Sequence, residues 1–424
     1  MAGKTTLRVL VVLPMYGGSL PVGRYCASAL AQLGHVVEIF EAPEFYGAFE
    51  ALKTLRVTSD RLEYLENSFL QVISQAICAK VETFGPDLVL ALAQAPLSRQ
   101  ALKRLRRDGV KTAMWFVEDF RLFTYWQAFA PYYDVFAVIQ KDPFPDRLAA
   151  VGQPNALYLP MAADPAVHRP LELSAVERRT YGAEVSFMGA GYPNRRAAFA
   201  QLLDFGLGIF GSDWDGDAAL AGRVRFSGRR ITTEEAVRIF NAATINLNLH
   251  SSISARECVP AGDFVNPRTF ELAMCGAFQL VSDRTYLPEL FADDELARFG
   301  SMEALREKLA YFLAHPEERA DYAARARARA LAEHTYAHRM ERLLAFVAER
   351  FPEWPGGREE EQAALAGLPQ PLRDETAQLL RDLSLPADVT FPDLIAAVRG
   401  RQGRLTPLET SLLFLDEWQR QYGG

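Results

Sequence analysis

Arg268 and Glu271 stand three residues apart in "NPRTFELAMCGAFQLVSD", which runs from Asn266 to Asp283. A helix that is only packed needs neither charge. A helix that offers its amino end to a ligand can use both. Asn266 can cap such a helix, and Pro267 fits its first position. The free amides attract an anion, and Arg268 adds a full charge suited to a diphosphate. Glu271 is an acceptor-only group, suited to paired hydroxyls such as those of ribose. Asp263 lies eight positions earlier, in the loop feeding the helix. Gly276 permits close approach or a left-handed helix end. The plain alternative is an Arg268–Glu271 helix pair worth about 0.2–0.5 kcal/mol.

Ligands of open parallel sheets gather beyond the carboxyl ends of the strands. The residues following each strand-like run therefore come next. After "KTAMWFV" stand Glu118 and Asp119, two carboxylates placed for general-base work. The aromatics behind them, Phe123, Tyr125 and Trp126, either face a sugar ring or fill the core. In "FMGAGYPNRRAAF" the glycines Gly189 and Gly191 precede Arg195 and Arg196 at a helix start. Cations there oppose the helix dipole unless an anion lies between them; a solvated pair is the other reading. Gly17, Gly18 and Ser19 follow the first strand, where backbone amides can approach an anion or a sugar, or simply turn the chain. This is not G-x-G-x-x-G, although Glu41 ends the second strand where a dinucleotide fold keeps its ribose acid. In "TINLNLH", Asn246, Asn248 and His250 alternate with apolar residues. A polar row in a parallel strand implies a pocket, an edge strand or buried polar contacts to loops. His250, at its end, is expected to reach the cleft.

These residues need a frame. "LRVLVVLP", "HVVEIFEA", "DLVLALA", "KTAMWFV", "DVFAVIQ" and "NALYLPM" read as strands separated by helices. A second series, "AEVSFMG", "FGLGIFGS", "TINLNLH" and "FQLVSD", repeats the alternation. Alternating strands and helices imply open parallel sheets. The fold expected is α/β: two Rossmann-like doubly wound domains facing a cleft, with a small helical appendage. Residues 1–170 form the N-terminal domain, 171–354 the second domain with a returning helix, and 355–424 the appendage, where composition changes after "FPEWPGGREEE". The polar stretch from Pro165 to Tyr181 reads as the hinge.

At 424 residues the chain exceeds one core. A net charge of -7 argues against a nucleic-acid partner. Cys26, Cys78, Cys258 and Cys275 are scattered without C-x-x-C spacing, so no zinc site is expected, and reduced thiols suggest a cytoplasmic protein. No metal site and no cofactor are expected. The run Leu7–Met15 is too short to span a bilayer, so no transmembrane segment is expected.

The "RTFELAMCGAFQLVSD" segment, "HTYAHRMERLL" and the two Rossmann-like halves resemble a GT-B glycosyltransferase. The similarity is to the CgeB-like group, with its glycosyltransferase family 1-type C-terminal domain. "WFVEDF", "YYDVFAVIQKD" and "LAAVGQPNALYLPMAAD" are similar to the N-terminal half in that group, and the likeness covers roughly residues 7 to 350. The resemblance implies a nucleotide-sugar donor as co-substrate in the second domain, an acceptor in the first, and no metal. Glu271 matches the family acid that holds the donor ribose. Asp263 replaces the first glutamate of a pair flanking seven residues. Glu118-Asp119 stands where many retaining relatives place a histidine, so retention versus inversion stays open. Tyr336 and Arg339 match "HTYxxR", on a helix returning to the N-terminal domain.

The expectation is a metal-independent hexosyltransferase type. Gly189, Arg195, Arg196, His250, Asp263, Asn266, Arg268 and Glu271 would bind donor. Asp119, or else Glu118, would be the base, and Gly17, Gly18 and Ser19 would line the acceptor side. The acceptor is an unidentified glycan, protein or small molecule, and the appendage offers a partner contact. The rivals are a sugar-nucleotide epimerase or hydrolase, a non-catalytic nucleotide-sugar binding protein and, weakened by the missing fingerprint, an NAD-dependent dehydrogenase.

Overall fold

The computed structural model describes residues 6–355, 369–383, 385–386, 389–401 and 403–422. Eleven strands form two all-parallel sheets among these residues. The first contains β1 (Arg8–Val12), β2 (Val36–Phe40), β3 (Leu88–Leu92), β4 (Lys111–Phe116), β5 (Val135–Val138) and β6 (Ala156–Tyr158), in the order β2-β1-β3-β4-β5-β6. The second contains β7 (Val185–Met188), β8 (Leu207–Phe210), β9 (Ile245–Asn248), β10 (Gln279–Ser282) and β11 (Ala297–Phe299), in the order β11-β10-β9-β7-β8. β1 and β3 are buried on both faces, as the apolar runs Val9–Val12 and Leu88–Leu92 require. β11 was not anticipated: three residues interrupted by Arg298 are too few to show a period.

The two halves share a core. Val9, Val11 and Trp115 of the first sheet belong to the same buried cluster as Phe270, Met274 and Val281 of the second. The helix Tyr336–Arg350 joins them. Its buried stripe of Tyr336, Met340, Leu343 and Val347 is part of that cluster. Thr335 caps this helix by accepting from His338 N. Arg339 then fastens it to the end of the N-terminal domain, donating to Pro160 O at 2.7 Å and Met161 O at 2.9 Å. So the "HTYxxR" helix does return to the first domain. Where the chain crosses outward and where it comes back, the strands touch: Ala163 N donates to His334 O and Tyr336 N to Ala163 O.

The expected hinge is shorter than its polarity suggested. Ala175–Tyr181 is helical, with a Ser174–Glu177 capping box. Glu177 also pairs with Arg238, which ties this helix to the second domain.

The appendage consists of the helices Gln370–Asp382, Phe391–Gly400 and Pro407–Tyr422, with a small core of Leu379, Leu380, Leu394, Ile395 and Val398. It docks on the amino edge of the first sheet. Asp393 pairs with Arg8 at the start of β1, and Ala396 packs against that domain's core. Most of the "PGGREEE" linker lies outside the described residues. No helix among the described residues is long and apolar enough to cross a membrane.

Candidate active site between the two sheets

The helix Pro267–Met274 is held from below by the polar row of β9. Asn248 donates to Thr269 Oγ1 and Gln279 Oε1, and accepts from Asn266 Nδ2 at 2.9 Å. Asn246 donates to the carbonyls of Phe240 and Phe278. The row is therefore buried polar contact on a central strand, the third of the readings open to the sequence. Asn266 caps the helix, accepting from Thr269 N at 3.1 Å, with Pro267 in the first turn. Gly276 ends it at φ +64°, and a side chain there would press on Arg327.

His250 does not open to the cleft as expected. It is 1% exposed, and Asn266 N donates to its Nε2 at 3.1 Å. That leaves the proton on Nδ1, 2.9 Å from Ser282 Oγ. Burial, with Arg284 and Arg195 nearby, holds its pKa well below the ordinary value. The ring positions the loop that enters the helix.

Arg268 pairs with Glu271, Nη1–Oε2 2.5 Å, and lies over the Phe240 ring. Glu271 also faces the buried His168, Oε1–Nε2 3.8 Å. His168 Nδ1 accepts from Asp164 N, so Nε2 carries the proton toward the carboxylate. Tyr25 of the first domain packs edge-on against His168.

Arg195 and Arg196, adjacent in sequence, differ in use. Arg195 donates to Leu249 O and Ala190 O and crosses the Phe187 ring. Burial lowers it to about 9. Arg196 is committed to loop carbonyls: Gly191, Asp213, Trp214 and Asp215. That commitment departs from a cation left free for a diphosphate, because the guanidinium stitches the loop after β7 to the loop after β8. Gly189 and Gly191 belong to the same seam. A side chain on Gly191 would strike Asp213 O, and Gly189 O accepts from Trp214 Nε1 at 3.0 Å.

In the first domain Glu118 and Asp119 follow β4 as expected, but their surroundings differ. Glu118 accepts from Gln94 Nε2 at 2.5 Å and Tyr125 Oη at 2.8 Å. Burial raises its pKa against these two hydrogen bonds. Asp119 accepts from Arg121 N at 2.8 Å and Gln140 Nε2 at 3.2 Å. Gly17 lies at φ +107°, and a side chain at Gly17 or Gly18 would meet nothing within 4 Å, so this turn borders open space. Ser19 precedes the helix Leu20–Gln32 and donates to Ala93 O. Glu41 is taken up by Arg24.

The two sheets meet through Asp263. Arg121 donates to it from Nη1 at 3.3 Å and Nη2 at 2.7 Å, and Gln140 Nε2 at 2.8 Å. Burial works to raise this carboxyl, yet the bonds from Arg121 and Gln140 hold it below the usual range. Arg230 reaches Gly17 O at 3.2 Å, and Lys141 pairs with Glu289.

Arg121, Gln140, His168 and Arg284 were not singled out in the sequence. Gln140 and Arg284 follow β5 and β10, so the strand-end rule would have found both. Arg284 is 6% exposed and makes no side-chain hydrogen bond among the described residues. Burial lowers it to about 10, with Asp263 and Asp119 acting the other way. No group of three metal-ligating side chains occurs among the described residues.

Two parallel α/β domains, joined by a double crossing and facing each other along their carboxyl edges, define the GT-B architecture. Residues 173–345 match the family model described as "Glycosyl transferase-like". The chain is 25% identical over 267 residues to the spore protein CgeB of Bacillus subtilis (strain 168), covering 58% of this chain and 78% of that one. In fold it is similar to sucrose-phosphate synthase from Thermosynechococcus elongatus, with a TM-score of 0.57 at 15% identity, over 82% of this chain and all (100%) of that one. It is also similar to Anabaena Alr3699/HepE in complex with UDP and glucose, with a TM-score of 0.55 at 11% identity, over 81% of this chain and 100% of that one.

Proposed function

We propose that this chain transfers a sugar from a nucleotide-diphosphate sugar to a hydroxyl acceptor, without a metal. The observation that carries the reading is the bridge at Asp263. It brings the carboxylate pair of one sheet to the loop feeding the cationic helix of the other. Arg195, Arg268 and the otherwise unbonded Arg284 supply positive charge at the carboxyl edge of the second sheet. Each acts on Arg195 or His250 electrostatically. They would stabilise the diphosphate as it leaves. Arg196 is assigned to holding the loop. Glu271 would exchange its pairing with Arg268 for the ribose hydroxyls.

In an inverting reaction the acceptor oxygen bonds to the anomeric carbon while the bond to the diphosphate oxygen breaks, and Asp119 takes the acceptor's proton. Glu118, bonded by Gln94 and Tyr125, positions the turn that carries Asp119. The complexed UDP and glucose of the structurally similar HepE support a nucleotide-sugar partner here. A thermal-shift panel of nucleoside diphosphates and their sugars tests the reading. A donor at a hundredfold its Kd should stabilise the protein by about 2.7 kcal/mol. Indifference to every sugar nucleotide would refute it.

A further inference from the structure

A cavity of about 360 Å³ lies in the first domain, apart from the cationic loops of the second. It is enclosed by the helix Ser59–Phe84, the face of β4 at Met114 and the segments after β3 and β4. Its mouth is exposed: Tyr16, Asn67 and Gln71 stand there. Tyr16 follows β1, so the mouth opens on the carboxyl edge of the sheet, the side that carries Asp119.

The lining limits what can enter. Inside are Leu70, Leu97, Met114, Phe129 and Tyr133. No charged side chain lines it, so an ionic ligand would lose its water without a counter-charge. Below the mouth, where Tyr16, Asn67 and Gln71 stand, most polar groups in the wall are already used. The Tyr125 hydroxyl donates to Glu118 and accepts from Gln94 N, the Gln94 amide donates to Glu118, and Ser98 Oγ bonds Ser74 and caps the next helix. At that depth Tyr133 is the exception. It is 2% exposed, and its hydroxyl makes no hydrogen bond among the described residues. A sugar ring placed below the mouth would bury several hydroxyls against this wall, with few partners for them. An apolar ring would bury none, and one further polar substituent could meet Tyr133.

We propose that this cavity seats the acceptor of the transfer reaction, and that the acceptor is an uncharged, ring-sized apolar compound with a reacting hydroxyl and one further hydrogen-bonding substituent. The proposal rests on the glycosyltransferase reading and names the substrate class for it. The wall and the base are linked, because Gln94 and Tyr125 hold Glu118, the residue before Asp119. The acceptor oxygen bonds to the anomeric carbon as the diphosphate leaves, and its proton passes to Asp119.

The test uses naphthalene-2,6-diol, 2-naphthol and free glucose as probes on the full chain. The diol should bind saturably, and glucose should not compete with it. Leu70→Trp fills the cavity and should raise the diol's Kd at least tenfold while leaving the thermal shift with sugar nucleotides unchanged. Should that variant fail to fold, Gln71→Trp at the exposed mouth takes its place with the same expectation. Tyr133→Phe keeps the shape and should weaken the diol about tenfold while leaving 2-naphthol within twofold. With the sugar nucleotide that stabilises the protein most, mass spectrometry should find the naphthyl glycoside. Unchanged diol affinity in the filled variant, equal losses for both naphthols in Tyr133→Phe, or binding with no glycoside while oligosaccharides are glycosylated would each overturn the proposal. Absence of any nucleotide effect in wild type would instead refute the glycosyltransferase reading, and the diol titrations would still judge the cavity.

Discussion

Arg121 of the first domain and Asp263 of the second are joined by two hydrogen bonds across 142 residues of sequence. Gln140 completes the grip and connects it to Asp119. The guanidinium is 47% exposed, so the pair is screened and its coupling should be modest, about 1 kcal/mol or less. A double-mutant cycle with Arg121→Gln and Asp263→Asn, read by urea denaturation at low and high salt, should show that coupling and its decline with salt. Strict additivity would mean that the two residues do not pair in solution.

Donor binding and chemistry should separate between Glu271 and Asp119. On the proposed donor role, Glu271→Ala removes a charge-assisted hydrogen bond to ribose, so donor affinity should fall by roughly 1.5–3 kcal/mol. Asp119→Asn keeps its shape and its acceptor oxygen but loses basicity. Transfer should fall on the order of 10²–10⁴-fold, with donor affinity nearly unchanged. Binding titrations and single-turnover rates on both variants check this. Wild-type transfer by Asp119→Asn would remove the protein base and favour a retaining route.

Chelator should leave donor binding and turnover intact, because the proposal draws the positive charge for the diphosphate from arginines. Loss of activity in EDTA, restored by magnesium or manganese, would contradict this.

Acid should destabilise the fold through His334. Burial holds its pKa down to about 4, and Arg339 donates to its Nδ1 while its Nε2 donates to Leu290 O. The folded pKa lies below the unfolded value of about 6.5, so the unfolded chain binds the proton first. Stability is full above pH 6.5 and is lost as pH falls toward 4, by an amount on the order of 3 kcal/mol. Urea midpoints at pH 7.5 and 5 should differ accordingly, and His334→Gln should narrow the difference. An unchanged difference would place the acid sensitivity elsewhere, with buried His250 next in line.

Removing the appendage should cost stability without removing the fold. A chain ending at Trp354 loses the Arg8–Asp393 pair but leaves Arg8 its bond to Phe84 O and opens it to water, so the cost should stay below the roughly 3–5 kcal/mol of a charge left buried. The truncated protein should still fold and bind donor. An insoluble truncation, or one that no longer binds donor, would make the appendage integral to the core.

The architecture could be read from the chain because the long strands are dominated by apolar runs bounded by turn residues, as in "VLVVLP" and "LVLAL". β11 could not, since Arg298 breaks a three-residue strand. The cap at Asn266 was legible because a cap is a local event: Asn266, Pro267 and Thr269 lie within four positions. The partnership of Asp263 with Arg121 was not, because nothing local links residues from different domains. His250 misled for a related reason. A polar residue at a strand end reads as facing a ligand, yet its two ring nitrogens serve Ser282 and Asn266.

The contact of Ala163 with His334 and Tyr336 has a mechanical consequence. Two domains linked by one strand of chain can swivel and tilt in any direction, like a ball in a socket. Here the outgoing and incoming links are bonded side by side, and Arg339 bolts the second link to Pro160 and Met161. Such a double link permits rotation about a single axis and resists twist. Opening and closing of the cleft should therefore move Asp119 relative to Glu271 along one repeatable arc.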